Sequence, residues 1–199
     1  MSPRRDPYFG RFAFLVSTVA VVVIILGLVF IWYFFQAGGA TSPTSPLRNL
    51  MSNQGNLPPN QVVLYYTKDG KQLVPTVADI GTAGMSANDK AKQIISKLLE
   101  GQDAAFLKSP IPPGTKLNSV FINGNIVIVN LSREYMENLR GGVDAELLAI
   151  YSIVNSLLYN IENADAVQIL VDSNKVMTLG GAVDIESPLI ANSAITRAS

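Results

Sequence analysis

The chain has 199 residues, 15 of them basic and 15 acidic, with no cysteine and no histidine. That length holds one ordinary domain plus a non-globular remainder. Without cysteine there is no disulfide, thiolate nucleophile, sulfur-ligated metal or lipidated cysteine; without histidine the usual general base, the Ser-His-Asp triad and the commonest metal ligand are gone, so catalysis would rest on carboxylates, Lys, Tyr or Ser.

The charges are unevenly placed. Arg4, Arg5 and Arg11 lie in the first eleven residues against Asp6, leaving twelve basic and fourteen acidic residues, a net of −2, in the rest. That balance offers no basic stripe for phosphates and argues against a nucleic-acid surface.

Residues 1–11 read as a cytoplasmic tail. Phe12–Phe35 follows, 24 residues without a charge, whose polar members are Ser17 and Thr18. As a helix it spans roughly 36 Å, against a hydrocarbon core of about 30 Å. In lipid every backbone polar group must be satisfied internally, so a lone span is helical. Trp32 and Tyr33 stand near its far end, where aromatic rings favour the interface. A cleaved signal peptide has an apolar region of about 7–15 residues, so this one reads as a retained signal anchor. The arginines before it place the amino terminus inside, in a single-pass arrangement, and the rest of the chain outside the cytoplasm.

Residues 36–60, rich in Gly, Ser, Thr, Pro and Asn, read as a flexible linker with a reach of about 25–30 Å. The folded body is expected over 61–190. Val62–Tyr66 and Leu73–Val77 predict a hairpin around Asp69-Gly70, with Pro75 marking the second strand as an edge. Ser86 and Asp89 form a capping-box-like start to a helix whose apolar stripe is Ala91, Ile94, Ile95, Leu98 and Leu99, stopped at Gly101. Leu117–Ile122 and Asn125–Leu131 predict a second hairpin, with Asn123-Gly124 as a type I′ turn. Ser132 is expected to cap a short helix, and Asp144 a long one striped by Leu147, Leu148, Tyr151, Val154, Leu158 and Ile161. Ala166–Val171 predicts a further strand, with Lys175–Leu179 pairing back after a turn at Ser173-Asn174. Residues 191–199 read as a weakly ordered tail. The fold class is therefore α+β, a small, largely antiparallel sheet packed against two main amphipathic helices, preceded by one transmembrane helix.

The phrases VVLYYTKDGKQLVP, IISKLLEG, IPPGTKLNSVFINGNIVIVNLSREYM, ELLAIYSIVNSL and VQILVDSNKVMTLGGAVDIESPL, taken in this order over Val62–Leu189, resemble the GerM-type domain (GerMN), the sporulation and spore germination domain. The resemblance implies an exported bacterial domain with a small sheet and helices. It also implies a place in the envelope between two membranes, where GerM-like proteins help assemble a protein complex. Some relatives are lipoproteins, and some have been linked to peptidoglycan metabolism. This chain differs in carrying one such domain, in using a membrane span for an anchor, and in reading Val129-Asn130-Leu131-Ser132 where relatives often have Val-Asp-Leu-Ser.

The residues nominate no catalytic, cofactor-binding or metal site. Glu134 and Glu137, three apart, read as solvated helix charges, Asp172 as a turn former, and Asp184 and Glu186 as capping or pairing groups. Adjacent strand residues face opposite ways, so at most one of Tyr65 and Tyr66 is expected in the core; Tyr135, Tyr151 and Tyr159 read as packing residues. The function expected is a membrane-anchored, non-enzymatic, extracytoplasmic domain acting through protein-protein binding in envelope assembly or in sporulation- or germination-like processes. Its partners are the bilayer through residues 12–35 and an envelope protein or peptidoglycan, the Leu73–Val77 edge being one place for a partner strand. The rival is a peptidoglycan-binding module or a carboxylate-based peptidoglycan-modifying enzyme, which needs two carboxyls about 5–9.5 Å apart across a cleft.

Overall fold

The computed structural model describes residues 57–58, 60–81, 84–101 and 106–196. The span expected at 12–35, the tail before it and nearly all of the linker lie outside the described residues. Among the described residues, no helix is long and apolar enough to cross a membrane.

The elements in chain order are β1 (Gln61–Thr67), β2 (Leu73–Asp79), α1 (Ala87–Glu100), β3 (Leu117–Asn123), β4 (Ile126–Leu131), α2 (Glu134–Glu137), α3 (Gly142–Asn160) and β5 (Ala166–Val171). The α+β class stands, but the single sheet does not. β1 and β2 form an antiparallel pair of their own, and β3-β4-β5 form a mixed sheet in which β3 and β4 are antiparallel and β4 and β5 parallel. The parallel pairing follows from the connection. Between β4 and β5 the chain runs through α2 and α3, and a helical crossover returns the next strand in the same direction.

Local chemistry sets the element ends, and in four places it differs from expectation. α1 starts as predicted: the Ser86 hydroxyl accepts from the Asp89 amide at 3.2 Å and donates to its carboxylate at 2.7 Å. The second hairpin pairs Asn123 with Ile126, so its central residues are Gly124 and Asn125. Of the two, Gly124 alone has positive φ, at 61°, which fits a type II′ turn and not type I′. Ser132 does not cap α2 with its side chain; its hydroxyl accepts from the Lys116 amide at 2.9 Å. Asp144 lies inside the first turn of α3, behind Gly141, and caps nothing. Residues 175–179 form no strand, because Asp172 and Ser173 both take positive φ and Val171 closes a tight turn onto Asn174.

The largest departure is α3. A single apolar stripe was expected, yet Leu148–Tyr159 is buried nearly all round, Tyr151 being half-buried. The helix packs on β1, on α1 and on β5. Its apolar residues and α1's stripe meet Val127, Val129 and Leu131 of β4, Val167 and Ile169 of β5, and Val62, Leu64 and Tyr66 of β1 in one core. The other face of β1 feeds a second cluster, in which Val63 and Tyr65 pack with Leu73, Leu148 and Tyr159. β1 is thus buried on both faces.

Candidate functional site

Two buried polar devices organise this body. The first completes the edge of β1. In an antiparallel pair alternate residues aim their amide and carbonyl away from the partner strand. On β1 these outward groups meet α3 instead of another strand. Val63 donates to Asn160 Oδ1 at 2.9 Å, and its carbonyl accepts from Asn160 Nδ2 at 2.6 Å. Tyr65 donates to Ser156 Oγ at 3.0 Å, and its carbonyl accepts from Ser152 Oγ at 2.6 Å. At the ends, the Gln61 amide reaches the Pro58 carbonyl at 2.9 Å, and Thr67 exchanges bonds of 3.0 and 2.8 Å with Lys108. Ser152, Ser156 and Asn160 are one turn apart along α3 and behave as a surrogate strand.

The second device is Glu146. Its residue is 1% exposed, yet among the described residues no cation pairs with it. Four backbone amides hold the charge. Oε1 accepts from Leu179 at 3.0 Å and Val183 at 3.3 Å, and Oε2 from Ala182 at 2.9 Å. Desolvation pushes the pKa up, but the bonds from Gly180, Ala182, Val183 and Leu179 outweigh it and leave the carboxyl below its ordinary range. A Cβ at Gly180 would come within 3.0 Å of Glu146 Oε2 and 3.3 Å of Leu139 Cδ2, which accounts for glycine there.

This clasp fixes a strap that runs without regular structure across both sheets. Leu189 exchanges two 2.8 Å bonds with Val167 at the edge of β5. Asn192 is gripped by Asn155 through bonds of 2.8 and 2.9 Å. The Ile195 carbonyl then receives the Leu73 amide of β2 at 2.8 Å. Of the tail expected over 191–199, the described part is 191–196, and these contacts tie it to the body.

The groups weighed for chemistry are mostly occupied. Asp172 is more than a turn former: its carboxylate pairs with Arg133 Nε at 3.0 Å. Glu134 is lowered first by a bond from the Ser132 hydroxyl. Asp184 accepts from the Glu186 amide at 2.9 Å, closing a local turn. Tyr65 and Tyr66 are both buried, one in each cluster, contrary to the expectation that at most one is in the core. Burial, with the field of Glu100 behind it, raises Tyr66 to about 12, and its hydroxyl donates to the Lys97 carbonyl at 3.2 Å. Burial also raises Tyr135, whose hydroxyl is sealed in without a hydrogen-bond partner. Among the described residues, no three His, Cys, Asp or Glu side chains converge as metal ligands. A polar hollow of roughly 170 Å³ opens at the end of α3, bordered by Gln61, Lys90, Tyr159 and Glu162.

Residues 63–176 match the family model for Germane, described as sporulation and spore germination, which is more than half of the sequence. The chain belongs to the Germane family. The first GerMN domain of the sporulation protein GerM from Bacillus subtilis is 16% identical and superposes with a TM-score of 0.54 over 67% of this chain and 98% of its own. The tandem GerMN domains of the same protein, also 16% identical, give 0.53 over 69% of this chain and 47% of theirs, so this Germane body spans about half of the tandem. At that identity the likeness shows the fold. An inferred lipoprotein from Clostridium perfringens is 26% identical over 65% of this chain and 86% of its own, with a TM-score of 0.48. No curated protein matches. The Germane match stops at residue 176, so most of the strap lies beyond it.

Proposed function

We propose that this Germane chain is a non-enzymatic, extracytoplasmic protein-binding domain, tethered by the span at 12–35 to the bacterial cytoplasmic membrane, that acts through its surface in envelope assembly or in sporulation- or germination-like processes. The reading rests on one observation above the others. The buried polar side chains of α3 serve the scaffold: Ser152, Ser156 and Asn160 complete a strand edge, Asn155 grips the strap, and Glu146 holds its backbone. None of these groups keeps a free atom for a substrate proton, whereas general acid–base chemistry needs a positioned group within hydrogen-bond reach of one. The Germane description, sporulation and spore germination, supports the process. The uncharged span after Arg4, Arg5 and Arg11 supports the tether and its direction.

Incubation of the full chain, in detergent micelles, with purified cell wall tests the reading. Soluble protein and unchanged wall are the expected result. Pelleting with the wall marks a glycan binder, and released fragments mark a hydrolase; either overturns the protein-binding role.

A further inference from the structure

Backbone accounting shows where a partner strand can add. The outer edge of β1 is completed by α3, and both ends of that of β5 are covered, by Leu189 at Val167 and by the turn to Asn174 at Val171. Gln168 Nε2 covers the Ile169 carbonyl at 3.1 Å. β2, the edge favoured from sequence, has its Leu73 amide taken by Ile195 and no amide at Pro75, which leaves a single outward amide in its middle, at Val77.

β3 differs. The Ile122 amide points outward, where Asn88 Oδ1 receives it at 2.9 Å. Antiparallel alternation puts the Val120 amide and carbonyl on the same outer side, opposite Val129 in register, and no side chain or loop among the described residues bonds to them. The edge is only partly protected: α1 packs on β3 and one bulge lies at its start, between Leu117 and Ser119, but Leu117–Leu131 carries no charge and no proline. Phe121, 45% exposed, stands on the outer sheet face opposite Ile128, where it can meet a cross-strand side chain.

Charge selects the occupant. Lys116 immediately precedes β3, and Lys92 lies one turn beyond Asn88 on the side of α1 that borders the strand. Both are exposed, and neither is in an ion pair among the described residues. Glu134, whose carboxylate feels Lys116, is already held by the Ser132 hydroxyl. Antiparallel pairing of a second copy through β3 would set the Lys116 end of each strand against the Lys92 side of the other, like charge against like, whereas a strand with acidic ends meets them with opposite charge. We infer that β3 is the docking edge for an extended segment of another protein, uncharged in its centre and flanked by Asp or Glu, added as a fourth strand beside Val120. This rests on the protein-binding reading and deepens it by naming the edge and the chemistry of the partner.

The test uses the full chain in detergent micelles and a fluorescent peptide of alternating Thr and Val with Asp-Glu at each end. The peptide is expected to bind, and to bind at least tenfold more weakly to Val120→Pro, which removes the outward amide without breaking a bond to β4. Val77→Pro, the same change on β2, is expected to leave affinity unaltered. The double variant Lys92→Glu, Lys116→Glu keeps the fold and should switch preference to a peptide with Lys-Lys ends, which guards against misfolding of the proline variant. The inference fails if the peptide does not bind, if Val77→Pro abolishes binding while Val120→Pro does not, or if charge reversal changes nothing. Concentration-dependent self-association of the chain, lost in Val120→Pro, would also overturn it in favour of a second copy. Failure here with the protein left soluble and the wall unchanged moves the partner to another surface; wall binding or cleavage overturns the protein-binding reading itself.

Discussion

Asn160→Ala removes the side chain that completes β1 at Val63. The Val63 amide and carbonyl lose partners at 2.9 and 2.6 Å, and the Ser156 carbonyl loses one at 2.7 Å. Both residues are 7% exposed, so solvent is poorly placed to replace the bonds. A buried group left without its partner costs about 1–3 kcal/mol, so the orphaned Val63 pair costs about 2–6 kcal/mol. For a body of this size that is a fall in Tm of roughly 10–20 °C at the middle of the range. Urea and thermal unfolding of the full chain in micelles, followed by circular dichroism and tyrosine fluorescence, read the change. Ser152→Ala orphans one carbonyl and should cost less than half as much. A loss below about 1 kcal/mol for Asn160→Ala, or a larger loss for Ser152→Ala, would refute the idea that α3 substitutes for a strand.

Glu146→Gln places an amide NH₂ among backbone donors and should cost about 2–4 kcal/mol at neutral pH, read by urea unfolding. Because folding lowers the Glu146 pKa, its contribution is full above the ordinary glutamate value of about 4.3 and drains away as pH falls through the lowered one. Stability curves of wild type and Glu146→Gln should therefore converge in strong acid; a constant gap down to the lowest pH at which both fold would contradict this. Gly180→Ala drives a methyl into Glu146 and Leu139 and should cost about 1–3 kcal/mol in the same assay. Tyr66→Phe loses one partly buried hydrogen bond to Lys97 and should cost about 0.5–1.5 kcal/mol.

Much of the body was legible because its signals are local. The Ser86–Asp89 cap, the Asp69-Gly70 turn, the stripe of α1 and the strand at Ala166–Val171 each depend on residues close in sequence. Asn123-Gly124 misled by one position, since register with Ile126 moved the turn onto Gly124-Asn125. The division into two sheets was harder to see, because it depends on side chains of α3 bonding a strand about 90 residues earlier. A trace of it was present: Ser152, Ser156 and Asn160 recur every four residues within Leu147–Asn160, whose other residues are apolar or aromatic except Asn155, a spacing that marks one polar stripe facing one partner. Glu146 offered no such trace. A lone acid in the second turn of a helix looks solvated until the strap folds back from residue 179. The free edge of β3 shows only after the other edges are accounted for, which requires the tertiary structure.

Sidedness is the most direct test of the proposed role, since a surface that binds envelope partners must face them. Protease added to intact cells, or to spheroplasts where an outer layer blocks entry, is predicted to digest the folded body and leave a short membrane-held fragment ending beyond residue 35. Survival of the body until lysis, when the same protease then destroys it, would put the domain in the cytoplasm and contradict the tethered extracytoplasmic role.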